Sequence, residues 1–149
     1  MPDINFNVVG YSQSATKMTV TARDFTMIID EPPILGGKDE GANPVEYVLS
    51  AIVGCLNITG HIVAKEMGLV INSLEIKANG DINPALLFGA ETADRAGYKG
   101  IEIEFSIDTT ADQSTVDNWL KQVKARCPVS DNLVNATPIT IGLRVAEPA

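Results

Sequence analysis

The chain has 149 residues, the size of one ordinary domain, so we expect a single domain over residues 1–149. Hydrophobic residues make up 45% of it and charged residues 20%, a composition that excludes disorder of the whole chain. The net charge of −8 disfavours binding to nucleic acid or to an anionic membrane surface, since both repel an acidic protein. Two cysteines and one histidine are too few for a closed zinc site, so no metal and no cofactor are expected.

The first thirty residues have the pattern of a three-stranded β-meander. Short runs rich in β-branched and aromatic residues alternate with turn-forming residues. The predicted strands are Asn5–Tyr11, Lys17–Ala22 and Phe25–Ile29. The segment from Asp30 to Ala42 contains two prolines and three glycines, which predicts a loop. Its length suggests a function or a contact with a partner.

A long apolar helix is predicted to begin after Asn43. Asn43 is a good N-cap, Pro44 fits the first helical position, and Glu46 is the acid of a capping box. From there to Gly68, apolar residues occupy most of the helix circumference, which is typical of a buried helix. A domain of this size rarely encloses a helix of about 36 Å, so we expect a second subunit to cover part of it.

The rest of the chain alternates between strands and helices. Residues 83 to 97 are rich in proline, glycine and alanine and predict a connection. Ser130 begins a possible short turn after the Cys127-Pro128 pair, which closes the preceding helix. The remaining elements are predicted at Val70–Asp81 (strand), Ile101–Asp108 (strand), Asp112–Arg126 (helix) and Pro138–Val145 (strand). This order indicates an α+β fold with antiparallel strands.

No targeting segment is recognisable at the N-terminus, because it has neither a basic start nor an apolar core. The longest apolar stretch, Val45 to Met67, is not expected to span a bilayer. Polar and charged residues interrupt it at Glu46, Asn57, His61, Lys65 and Glu66. We therefore expect a cytoplasmic protein, in which thiols are normally reduced.

The two thiols are the only candidates for nucleophilic chemistry in the sequence. A buried cysteine is usually inert, whereas a reactive one needs a cation beside the sulfur. Arg23 and Arg126 are the nearest candidate cations for Cys55, and His61 is a weaker one. Both interpretations of Cys55 remain open at this point.

Helix geometry bears on Glu46 as a possible partner of Cys55. The two residues are nine positions apart, so they lie about 180° from each other around a straight helix. Direct contact within one subunit is therefore unfavourable, and capping of the helix is the preferred role of Glu46.

Two stretches of the sequence together resemble the OsmC/Ohr family, and the similarity in element order covers nearly the whole chain. The first stretch is Asp30-Glu31-Pro32-Pro33-Ile34-Leu35-Gly36-Gly37, followed by Asn43-Pro44-Val45-Glu46-Tyr47 and then Gly54-Cys55. The second stretch is Cys127-Pro128-Val129-Ser130-Asp131-Asn132-Leu133.

The resemblance implies an α+β homodimer of two intertwined chains, with antiparallel sheets packed around long central helices and the N-terminal strands exchanged. It also implies a peroxidase of the oxidative stress response, for which Cys55 is the peroxidatic thiol and Cys127 the resolving one. The first forms a sulfenic acid with a hydroperoxide, the second condenses with it to a disulfide, and an external dithiol reduces the product. Arg23 is the candidate for the arginine that lowers the thiol pKa in such enzymes.

One position departs from the family pattern. In the peroxidase members that this sequence resembles, an acidic residue stands ten positions before the first cysteine and holds the arginine. In this sequence Val45 occupies that position, and the acid is the next residue, Glu46. The shift moves the carboxylate by about 100° around the helix, although Glu46 could still reach an arginine through a bent first turn or from the other subunit. The alternative to a hydroperoxide reductase is therefore a non-catalytic dimer that binds a small apolar or electrophilic ligand near Cys55.

Overall fold

The structure is a computed structural model in which residues 1–145 are described. It contains two compact units: residues 1–53 with 77–104, and residues 54–76 with the described residues from 105 onward. A single domain over the whole chain stays a prediction. The elements are β1 (Val9–Ser12), β2 (Met18–Ala22), β3 (Phe25–Ile29), α1 (Pro44–Met67), β4 (Ser73–Gly80), β5 (Ile101–Asp108), α2 (Gln113–Arg126) and α3 (Pro128–Val134).

The predicted N-terminal meander is confirmed as an antiparallel sheet in the order β1-β2-β3. In its register Gly10 pairs with Val20, and Val20 with Met27. The first strand begins at Val9, so the prediction that it begins at Asn5 was wrong. Residues 1–8 have the strand-like alternation but pair with no strand within the described chain, and their apolar side chains are exposed.

The predicted loop after β3 is folded around one buried carboxylate, Asp30. Its two oxygens accept hydrogen bonds from the backbone N–H groups of Glu31 (2.9 Å), Lys38 (3.1 Å) and Glu40 (3.2 Å). Burial opposes the charge, but these N–H groups and the Thr16 hydroxyl outweigh it and hold the pKa of Asp30 below its usual range. The turn also needs a glycine at Gly37, where a Cβ atom would lie 1.8 Å from the Glu31 carbonyl oxygen. The loop is thus a defined structure.

The predicted long helix is confirmed as α1, and its start is the predicted capping box. The N–H of Glu46 donates to Asn43 Oδ1 (2.9 Å), and the N–H of Asn43 donates to Glu46 Oε2 (2.8 Å). The helix ends at Met67, before Gly68, whose φ of 67° is the left-handed conformation that glycine adopts at helix ends.

By length and composition alone, α1 is long and apolar enough to cross a membrane. Its most apolar 18-residue window has a mean hydropathy of 1.6, and 33% of that window is buried. The polar residues along it therefore do not by themselves exclude a span, contrary to the expectation from sequence. Core helices of other proteins meet the same two criteria, so the property does not identify a membrane helix.

In the second unit, Trp119 of α2 is the centre of the core. Only 1% of its surface is exposed, and its indole N–H donates to the carbonyl of Gly60 on α1 (2.8 Å). The ring meets Phe105 edge to face at 5.8 Å. Gly60 permits this approach, since a Cβ there would lie 3.0 Å from the indole ring. The contacts hold α1 and α2 together beside the thiols.

The C-terminal helices agree with the sequence pattern, and the last strand does not. Asp112 caps α2 by accepting from the N–H of Thr115, and the turn expected near Ser130 is a short helix, α3. Residues 138–145 form no strand, so that prediction was wrong for one chain. Its alternating apolar residues are exposed at Ile139, Ile141, Leu143 and Val145. A strand forms only where a second strand accepts its backbone hydrogen bonds.

Candidate functional site

Two helices and one short turn bring the two cysteines together in the second unit. Cys55 lies near the middle of α1 and is half-buried. Cys127 ends α2 and caps the start of α3, and only 1% of its surface is exposed. Both are free thiols, and each shifts the pKa of the other, so the two side chains are neighbours. Residues seventy-two positions apart in the sequence thus form one dithiol site.

The surroundings of Cys127 favour its charged form. Burial opposes the charge, but the hydroxyl and backbone N–H of Ser130, together with Cys55 and the backbone N–H of Val129, outweigh it and lower the pKa of the Cys127 thiol. The N–H contact has a length of 3.5 Å. Pro128 occupies the first position of α3, where its missing N–H costs nothing, so the next N–H groups are free to face the sulfur.

The surroundings of Cys55 favour its neutral form. Burial is the largest effect and raises the pKa of the Cys55 thiol, and the neighbouring Cys127 adds to it. The N–H of Val129 and the hydroxyl of Thr59 act in the opposite direction. The surroundings of the two thiols therefore shift their pKa values in opposite directions.

Arg23 lies in the first unit, in the tight turn between β2 and β3. Its φ of 55° places it in the left-handed region, which is uncommon for a residue with a side chain. Its guanidinium carbon lies 5.1 Å from the centre of the Phe25 ring, a cation–π contact, and the residue is exposed. A role of Arg23 in thiol activation stays a prediction.

Glu46, the fourth predicted site residue, is also in the first unit and uses its carboxylate in the capping box. Its charge, after burial, raises the pKa of Tyr98, whose hydroxyl donates to the carbonyl of Val45 (2.8 Å). Tyr98 thus fastens the first turn of α1. The catalytic role of Glu46 stays a prediction.

Arg126, a candidate cation from the sequence, is committed to another partner. Its guanidinium makes two hydrogen bonds to the Glu66 carboxylate, at 2.5 and 2.9 Å, and lowers the pKa of that group. This bidentate pair joins the end of α2 to the end of α1, next to Cys127. Arg126 therefore contributes to the site by holding the two helices together.

Sequence reasoning missed Thr59 and Ser130, and both carried a recognisable signal. Thr59 is a polar residue one helical turn after Cys55 on an apolar helix, and Ser130 is three residues after Cys127, where a side chain can reach back to a cap. Among residues 1–145, no three histidine, cysteine, aspartate or glutamate side chains come together as metal ligands do.

The sequence model of the OsmC-like protein family matches residues 37–142. A hydroperoxide reductase of Mycoplasma pneumoniae is 21% identical over 145 residues, which covers 96% of each chain.

Solved structures show the same fold. An OsmC-like protein from Mycoplasma pneumoniae superposes with a TM-score of 0.78 at 19% identity, over 91% of each chain. An organic hydroperoxide resistance protein from Legionella pneumophila has a TM-score of 0.67 at 15% identity, covering 89% of this chain and 91% of its own. One from Elizabethkingia anophelis has a TM-score of 0.66 at 15% identity, over 91% of each chain.

Proposed function

Because this chain belongs to the OsmC-like family, we propose that it is a thiol-dependent hydroperoxide reductase that uses Cys55 and Cys127. The observation that supports the proposal is that the two thiols lie near enough for each to shift the pKa of the other, as an attacking and a resolving thiol would. The hydroperoxide reductase and hydroperoxide resistance proteins among its relatives support the same activity.

The chemistry takes two steps. The Cys55 thiolate attacks the distal peroxide oxygen, the O–O bond breaks, and the leaving alkoxide takes a proton to give the alcohol and a Cys55 sulfenic acid. The Cys127 thiolate then attacks the Cys55 sulfur, and the S–O bond breaks. Hydroxide leaves and is protonated to water, and a disulfide remains. An external dithiol restores both thiols by exchange and becomes a disulfide itself.

The second part of the proposal is that two chains form a homodimer. Apolar residues are exposed in alternation near both ends of the described chain, at Ile4, Phe6 and Val8 and at Ile139, Ile141, Leu143 and Val145. Such alternating apolar segments would form strands and be covered if a second copy paired with them. Light scattering on the eluted protein should give twice the chain mass of 15.9 kDa, and a mass of one chain would refute the dimer.

The decisive experiment is the intact mass of the reduced protein after one equivalent of cumene hydroperoxide. A disulfide between Cys55 and Cys127 should form within seconds and remove two hydrogens from the mass. Peptide mapping then identifies the linked residues. A reduced protein that keeps its mass, or forms the disulfide only slowly, would refute the proposed activity.

A second function is favoured by one specific observation, the raised pKa of Cys55, for which burial is the main cause. A thiol that stays protonated at neutral pH suits a dimer that binds a small apolar or electrophilic ligand rather than a peroxidase. Titration of Cys55 with iodoacetamide distinguishes the two. A pKa well below about 8.5 removes the basis for the binding protein, and a higher one supports it. The cytoplasmic location stays a prediction under either function.

A further inference from the structure

Thr59 is a buried polar residue on the most apolar element of the protein. Only 7% of its surface is exposed. It follows Cys55 by four positions on α1, which places the two side chains about 40° apart on the same face of the helix. The Thr59 hydroxyl acts on Cys55 as a donor that lowers the pKa of the thiol. A buried hydroxyl requires a partner, and the Cys55 sulfur, one turn away on the same face, is an acceptor within reach.

The turn of α1 that carries Thr59 is held in a fixed position. The carbonyl of the neighbouring residue Gly60 accepts a hydrogen bond from the indole N–H of Trp119, and the Trp119 side chain is fully buried. Leu56 and Val63, on the same side of the helix, are 2% and 0% exposed. A side chain in such close packing has one available rotamer, so the Thr59 hydroxyl stays within reach of the sulfur.

We propose that Thr59 donates its hydroxyl proton in a hydrogen bond to the Cys55 sulfur, and so stabilises and aims the thiolate that attacks peroxide. The hydroxyl carries one proton. In a helix it otherwise donates to the carbonyl four residues back, which here also belongs to Cys55. Bonds to a charged acceptor are the stronger ones, so the contribution is largest after Cys55 has lost its proton.

The inference rests on the proposed function for its role in catalysis, but its test does not require peroxidase activity. In a Cys127→Ser background, Cys55 is the only thiol, and its ionisation is followed by ultraviolet absorbance and by its rate of alkylation with iodoacetamide. Thr59→Val keeps the shape and removes the hydroxyl. We expect it to raise the pKa of Cys55 and to slow alkylation at pH 7 about fivefold, because a donor to the charged form is lost.

Two controls complete the experiment. Thr59→Ser keeps the hydroxyl and should restore the alkylation rate, whereas a role in packing alone predicts no restoration. Thr19→Val, at a half-buried threonine in β2, should leave the rate unchanged. An unaltered pKa in a folded Thr59→Val protein refutes the inference, even if peroxide is consumed normally. A shifted pKa supports it, even if the wild-type protein consumes no peroxide and the proposed function fails.

Discussion

The surroundings of the two thiols differ in a way that exposure alone does not explain. Cys127 is the more deeply buried sulfur, yet its pKa is lowered, because the hydroxyl and N–H of Ser130, together with Cys55 and the N–H of Val129, outweigh burial. Cys55 is the more accessible sulfur, yet its pKa is raised, chiefly by burial and then by Cys127. The difference shows that the balance of burial against nearby donors, rather than exposure alone, sets the direction in which each pKa shifts.

The largest expected effect separates the two thiols by removing one at a time. Cys55→Ser should abolish peroxide consumption, a loss of about a thousandfold or more, because the attacking atom is gone. Cys127→Ser should still consume one peroxide per chain, since the first step needs only Cys55. The measurement is peroxide consumed per chain, with dimedone labelling of the sulfenic acid.

The assignment of Cys55 as the attacking thiol is refuted if the two variants behave in the opposite way. A Cys55→Ser protein that reacts with one equivalent of peroxide, and a Cys127→Ser protein that does not, would make Cys127 the attacking thiol.

A smaller effect is expected when the hydroxyl of Ser130, a donor to Cys127, is removed. Ser130→Ala removes the side-chain donor that does most to lower the pKa of Cys127, so the pKa should rise. In a Cys55→Ser background, the thiolate fraction at pH 7 should fall several-fold, to about a fifth, as followed by ultraviolet absorbance. Ser130→Thr keeps a hydroxyl and is the matched control. Equal titration curves for all three proteins would mean that the hydroxyl does not set the charge.

The smallest effect concerns the ion pair that joins the ends of α1 and α2. Arg126 lowers the pKa of Glu66 in the folded protein below its usual value of 4.5. The stabilisation is therefore present above that value and is lost as the pH falls through the lowered pKa. Glu66→Gln should reduce the acid dependence of the unfolding midpoint below about pH 5. Glu104→Gln, at an exposed acid on β5, is a comparison variant of the same chemistry.

The parts of the fold that follow local rules were predicted well from the sequence. The capping box at Asn43 and Glu46, the end of α1 before Gly68 and the alternation in β5 all depend on neighbouring residues. The prediction of a strand at residues 138–145 was wrong. A strand needs a second strand to pair with, and the alternation of apolar residues does not show whether one is present.

The candidate site was predictable only in part, for the same physical reason. Motifs identified the two cysteines, but their contact depends on the packing of α1 against α2 through Trp119. The donors at Thr59 and Ser130 depend on side-chain positions that spacing suggests and only three-dimensional structure establishes. Arg23 and Glu46 came from the family resemblance, and their described contacts are with Phe25 and with the helix start.

Trp119 also offers a way to follow this protein by fluorescence. It is the single tryptophan of the chain, and its indole donates to Gly60, five residues after Cys55. Any movement of α1 that brings the sulfurs to bonding distance changes the environment of this one fluorophore. If the proposed disulfide forms, we expect the emission of Trp119 to change with it and to provide an intrinsic optical signal without an added label.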